Sequence, residues 1–200
     1  MPISTIGQNG LNAPLSLTTP ALGTPSSLVL TNATGLPASA MPSGTIVQTV
    51  VSCPSPTLAT IASASWTEAS SLFRVSITPK NASNTLFIQC IFMFGGDFSS
   101  ILSHFKIYNI TNSADVNLSS GDGARTPVHG AARQVDTDLN DVDQMVLSVS
   151  TSAGSTSART YGLYSKNESG TTAKYFFSTG SNAAAIGIAR PTFIVHEIAA

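Results

Sequence analysis

Residues 85–94, TLFIQCIFMF, constrain the fold more than any other stretch of this chain. Successive side chains of a strand point to opposite faces. Leu86, Ile88, Cys90, Phe92 and Phe94 therefore share one face, while Phe87, Ile91 and Met93 share the other with Gln89. A strand apolar on both faces is expected at the centre of a sheet that is covered on each side. The run meets Gly95-Gly96, where the strand is expected to stop. Cys90 inside it reads as a small buried thiol. Cys53 is the only other cysteine, and no disulfide between them is expected in a chain without an export signal.

Further strands are expected at 44–51, 59–66 (weaker), 72–77, 101–110, 144–150, 157–165, 173–178 and 191–198. Within 101–110, Ile101, Phe105, Ile107 and Asn109 fall on one parity and His104, Lys106 and Tyr108 on the other. In the last strand Phe193, Val195 and Glu197 oppose Ile194, His196 and Ile198. Residues 111–142 form a long polar excursion with little periodicity; such loops are usually functional or held by a partner. Ser and Thr make up about a quarter of the chain and only 10 % is charged, so strands rather than helices or disorder are expected. About eight strands at this spacing suit an all-β fold over 44–200, an antiparallel, jelly-roll-like β-sandwich.

The sandwich is preceded by an extended arm, residues 1–43. Six prolines (2, 14, 20, 25, 37 and 42) exclude a long helix or a central strand there, and the arm has no charged and no aromatic residue. Its centre, residues 15–37, holds a near-repeat: LSLT at 15–18 returns as LVLT at 28–31, each copy running into a Pro/Gly turn segment. Each unit is a short strand with two leucines on one face, too little to bury alone. Leu15, Leu17, Leu28 and Leu30 are therefore the candidate attachment and oligomerisation residues, ordered only when something else covers them.

The chemistry expected of this chain is sparse. A net charge of −1 and nine dispersed Lys and Arg exclude a concentrated phosphate-binding face, so no nucleic-acid partner is expected. No apolar run reaches the length of a membrane span. The N-terminus, MPISTIGQNG, lacks the basic region and hydrophobic core of a signal peptide, which makes cytoplasmic synthesis the expectation. The sequons at Asn32, Asn81, Asn109, Asn117 and Asn167 would then carry no glycan. Nucleophile elbows, phosphate loops and metalloprotease motifs do not occur, so no catalytic residue and no cofactor is assigned. His104, His129 and His196 are far apart in sequence and read as surface or hydrogen-bonded structural residues. One constellation resembles the opening of a calcium loop, with Asp136, Asp138 and Asn140 at alternate positions. Asp141 stands where that loop needs a turn-making Gly, and Leu147 where it needs a bidentate Glu. The competing account is a solvated acidic turn paired with Arg125 or Arg133, and the metal assignment is accordingly none.

Four segments carry a family resemblance: LTTPALGTPSSLVLTNATGLP at 17–37, GTIVQ at 44–48, VSITPKNASNTL at 75–86 and VHEIAA at 195–200. With them the chain resembles tailed-bacteriophage fibre-type and decoration-type virion structural proteins over about residues 15–200, the 95–142 region being least alike. The resemblance implies a homotrimer without catalytic activity, located in the virion and assembled in the host cytoplasm. Three copies around an axis would bury the arm leucines together, and closed symmetry hides strand edges. A capsid decoration, cement or head-fibre protein, its arm laid over other virion proteins, is the leading expectation. The alternative is a short tail fibre whose sandwich tip binds a host surface receptor through residues 111–142. The absence of aromatics in that excursion counts against it. A polysaccharide-degrading spike would need paired carboxylates in a cleft and is usually a longer chain.

Overall fold

The computed structural model describes residues 41–55, 59–96, 102–133, 142–168, 174–176 and 189–200. The arm with Leu15, Leu17, Leu28 and Leu30, and the triplet Asp136, Asp138 and Asn140, lie outside the described residues. Among the described residues there is no helix, and twelve strands form two six-stranded antiparallel sheets. Sheet A contains β1 (Ile46–Ser52), β2 (Ala59–Ile61), β5 (Thr85–Gly96), β9 (Val142–Ser152), β11 (Lys174–Phe176) and β12 (Thr192–Ile198). Sheet B contains β3 (Thr67–Glu68), β4 (Arg74–Ile77), β6 (Leu102–Asn109), β7 (Ala114–Asp115), β8 (Gly130–Arg133) and β10 (Arg159–Asn167).

The apolar run is the spine of sheet A. Strand β9 pairs with β5 along one side, while β12 and β11 share the other side; β1 extends the sheet beyond β12, and β2 beyond β11. In sheet B the central pair is β6 and β10, flanked by β7 and β8 on one side and by β3 and β4 on the other. The sheets face each other through one apolar core. Leu86, Ile88, Cys90, Phe92 and Phe94 of β5, with Phe193 and Val195 of β12, meet Phe105 and Ile107 of β6 and Tyr161 and Leu163 of β10. Phe105 reaches across from sheet B to lie edge-on to Phe92 and Phe94, with ring centroids 5.3 and 5.0 Å away.

Three expectations are corrected. Strand β5 takes in Gly95-Gly96 instead of ending at Phe94: Gly95 pairs with Val142 on one side and Tyr175 on the other, and two-sided pairing holds residues of weak propensity in the strand. The expected 59–66 strand shrinks to β2, and Thr67–Glu68 joins the opposite sheet as β3. Residues 111–142 are not an unpaired excursion, since β7 and β8 both pair with β6. His129 fills the gap between them. Its backbone N–H donates to Phe105 O at 3.0 Å, Ile107 N–H donates to its Nδ1 at 2.9 Å, and its Nε2 lies 2.7 Å from Val116 O. The ring thus takes the place of a missing strand partner, with the proton on Nε2. Burial lowers its pKa below the ordinary 6.5 against the opposing pulls of the Val116 carbonyl and Asp115, which favours the neutral ring this arrangement needs.

A second, polar cluster centred on a buried carboxylate ties the ends of the domain together. Glu197 has no exposed surface and accepts hydrogen bonds from Lys80 N, Asn81 N, Asn84 Nδ2 and Gln48 Nε2. Asn84 also accepts from Ala200 N, and its carbonyl from Ala153 N. The segments 44–48, 75–86 and 195–200 therefore converge on a single carboxylate and form part of the framework of the fold. At the start of the domain Gly44 has φ of 86°, the left-handed region that suits glycine, and its N–H donates to Ala199 O.

Candidate functional site

The two outer faces of the sandwich differ in chemistry. On sheet A the outward positions of β5 are Phe87, Gln89, Ile91 and Met93, all half-buried. Register extends this face to Ile198, His196, Ile194 and Thr192 on β12, and to Ile46, Thr49 and Val51 on β1. Strand β9 adds Val146, Ser148, Ser150 and Ser152. No charged side chain stands among these positions, while Ile46 and Val51 are each 55 % exposed and Val146 50 %. The second apolar face expected of the 85–94 run exists, but no further layer of described residues covers it. His196 lies here, its ring stacked on Phe87 and its Nδ1 2.9 Å from Thr49 Oγ1.

Sheet B turns a polar, aromatic face outward. Alternation along β6 and β10, fixed by their register, places Lys106 beside Tyr164 and His104 beside Lys166. The Tyr108 and Tyr164 rings lie 4.5 Å apart. Gly162 sits between Tyr108 and Arg74, and a Cβ there would come 2.8 Å from Ile110 Cδ1 and 3.1 Å from Glu68 Oε1. That glycine lets the Glu68 carboxylate reach Arg74 in a two-pronged ion pair of 2.5 and 2.6 Å. Lys106, although outward-facing, is only 5 % exposed. Its ammonium pairs with Asp115 and lies 4.4 Å from the Trp66 ring centroid and 4.9 Å from that of Tyr108. A cation between two aromatic faces and a carboxylate is well satisfied, so Lys106 braces this surface.

Beside that brace lies a cleft of about 500 Å³. Its floor is the row Ala131, His104 and Lys166, contributed by β8, β6 and β10, with Leu102 next to it. The loop 124–128 forms one wall and Glu168 the rim. The loop is held by a turn from Arg125 N to Asp122 O, with Gly123 at φ 61°, and by Lys166 Nζ donating to Thr126 Oγ1 at 3.3 Å. Arg125 pairs with Asp122 and Arg133 with Glu168. Lys166 has no carboxylate partner among the described residues; its ammonium lies 5.4 Å from the Trp66 ring centroid. His104 keeps a buried Nδ1 without a hydrogen-bond partner. Burial and the Lys166 charge lower its pKa below the ordinary 6.5, against the opposing pull of Glu168, so the ring is neutral at physiological pH.

Of the residues singled out from sequence, the three histidines fall in three separate environments, and Cys90 is buried while Cys53 is exposed, both as free thiols. Arg125 pairs with Asp122 and Arg133 with Glu168, while the 136–140 acidic run lies outside the described residues. Among the described residues no three His, Cys, Asp or Glu side chains gather as a metal would require. Sequence reasoning gave no role to Trp66, Tyr164 or Lys166, and placed Lys106 only by its parity with His104 and Tyr108. The available signal was the shared polar and aromatic parity of 101–110 and 157–165, which acquires meaning only when the two strands pair. The sequence matches no protein-family model and no curated protein.

Proposed function

We propose that this chain is a non-enzymatic structural protein of a bacteriophage virion. It acts as a homotrimeric capsid decoration, cement or head-fibre protein held to other virion proteins by its N-terminal arm. The observation that supports this reading is the uncharged outer face of sheet A. Isolated exposed apolar residues are ordinary, but a four-stranded face without charge and with half-exposed Ile and Val is suited to being covered in an assembly. Copies related by closed symmetry cover such a face without leaving it open to further growth.

The test is the mass of the full chain in solution. A trimer is expected, and Val51→Glu combined with Val146→Glu is expected to yield folded monomers at micromolar concentration. Both sites are half-exposed, so the fold itself tolerates the charges. Trimers of unchanged stability in the double variant would exclude sheet A as the contact. A chain lacking residues 1–40 is expected to keep the circular dichroism of the β-domain but to be missing from assembled particles. Normal incorporation would show that attachment does not use the arm.

A second reading, a short tail fibre whose β-sandwich tip binds a host surface receptor, is favoured by the cleft on sheet B. Copy number separates the two, since a decoration protein is present in hundreds per particle and a tail fibre in a few dozen at most.

A further inference from the structure

We propose that the cleft on the outer face of sheet B binds a saccharide unit bearing one carboxylate, of the hexuronic acid type. Its volume, about 500 Å³, falls among those of small-molecule sites and is far more than a phosphate or sulfate fills. Its charge is matched to a monoanion. Arg125 and Arg133 already hold carboxylates, which leaves the Lys166 ammonium as the unmatched cation among the described charged groups at the cleft. A dianion would find only that one charge and would face Glu168 at the rim.

The remaining lining suits a polyol. Glu168 is 57 % exposed and meets Arg133 through Oε2 at 3.4 Å, which leaves Oε1 to accept from hydroxyl groups. Thr126 offers a hydroxyl, and the neutral His104 ring adds a group able to donate or accept. Leu102, Val128 and Ala131 supply apolar surface for the C–H face of a pyranose ring. Lys166 is already positioned by Thr126 and Trp66, so little side-chain freedom is lost when it meets the carboxylate.

The inference deepens the tail-fibre reading, on which its biological meaning rests, yet it is tested on the purified full chain. Calorimetric titration with methyl glucuronide is expected to give saturable binding below about 10 mM, with methyl glucoside and acetate each weaker by about tenfold or more. Lys166→Met is expected to weaken glucuronide binding by about tenfold. Ala131→Trp, at an exposed floor position, is expected to fill the cleft and abolish binding while leaving the thermal melt unchanged. The proposal is overturned by glucuronide that does not bind, by acetate or the neutral glucoside binding equally well, or by binding that survives both substitutions. None of these outcomes alters the copy number in particles, which judges the fibre reading separately.

Discussion

Replacing Glu197 by Ala is expected to cost the β-domain about 3–5 kcal/mol, because four donors converge on this buried carboxylate and lose their shared acceptor. The backbone N–H groups of Lys80 and Asn81 would be left without their acceptor, and the amides of Gln48 and Asn84 would lose theirs. Burial on its own raises the pKa of this carboxyl. The bonds from Lys80, Gln48, Asn84 and Asn81 outweigh it, and the net shift is below the ordinary 4.5. The unfolded chain therefore binds the proton first. Glu197 contributes its full stability above pH 4.5 and loses it as the pH falls through the lower folded value. Urea unfolding of the wild type should show that loss in acid, and Glu197→Gln, which cannot ionise, should show a smaller slope over the same window. Identical slopes in the two proteins would mean that the cluster does not hold a charge.

Phe105→Ala is the second large effect, at about 3–5 kcal/mol, with Phe105→Leu costing about 1–2 kcal/mol. Phe105 is fully buried and is the ring of sheet B that packs against Phe92 and Phe94 of sheet A. Its truncation removes apolar burial and leaves a cavity between two hydrogen-bonded sheets, neither of which can collapse inward without breaking register. Denaturant midpoints at constant slope measure the loss. A change under about 1 kcal/mol for the alanine variant would show that the sheets are not joined through this contact.

Much of the fold was legible because the strand signal is local. Alternation marked β6 and β12, grouping Phe105 with Ile107 and Phe193 with Val195 on single parities that the structure turns inward. β7 and β8 were not legible: Ala114–Asp115 and Gly130–Arg133 have neither length nor β-branched residues, and β6 recruits them through its free backbone groups. Burial of charged residues was equally hidden. Lys106 alternates like a surface residue and Glu197 falls on the parity of Phe193 and Val195, and only partners distant in sequence make burial of either charge tolerable.

The candidate cleft was less legible than the fold. His104 was noticed from sequence, but its neighbours Lys166, Ala131 and the 124–128 loop come from segments up to about 60 residues away. The strand class, the central place of the 85–94 run and the scarcity of charge were readable from the chain alone, because each is set by the pattern of neighbouring residues. Packing between distant segments decided which strands pair and which side of the 85–94 run is covered. It also decided which carboxylate is buried and which ammonium is left unmatched. Those depend on register between distant segments, and a shift of one residue would exchange every inward side chain for an outward one.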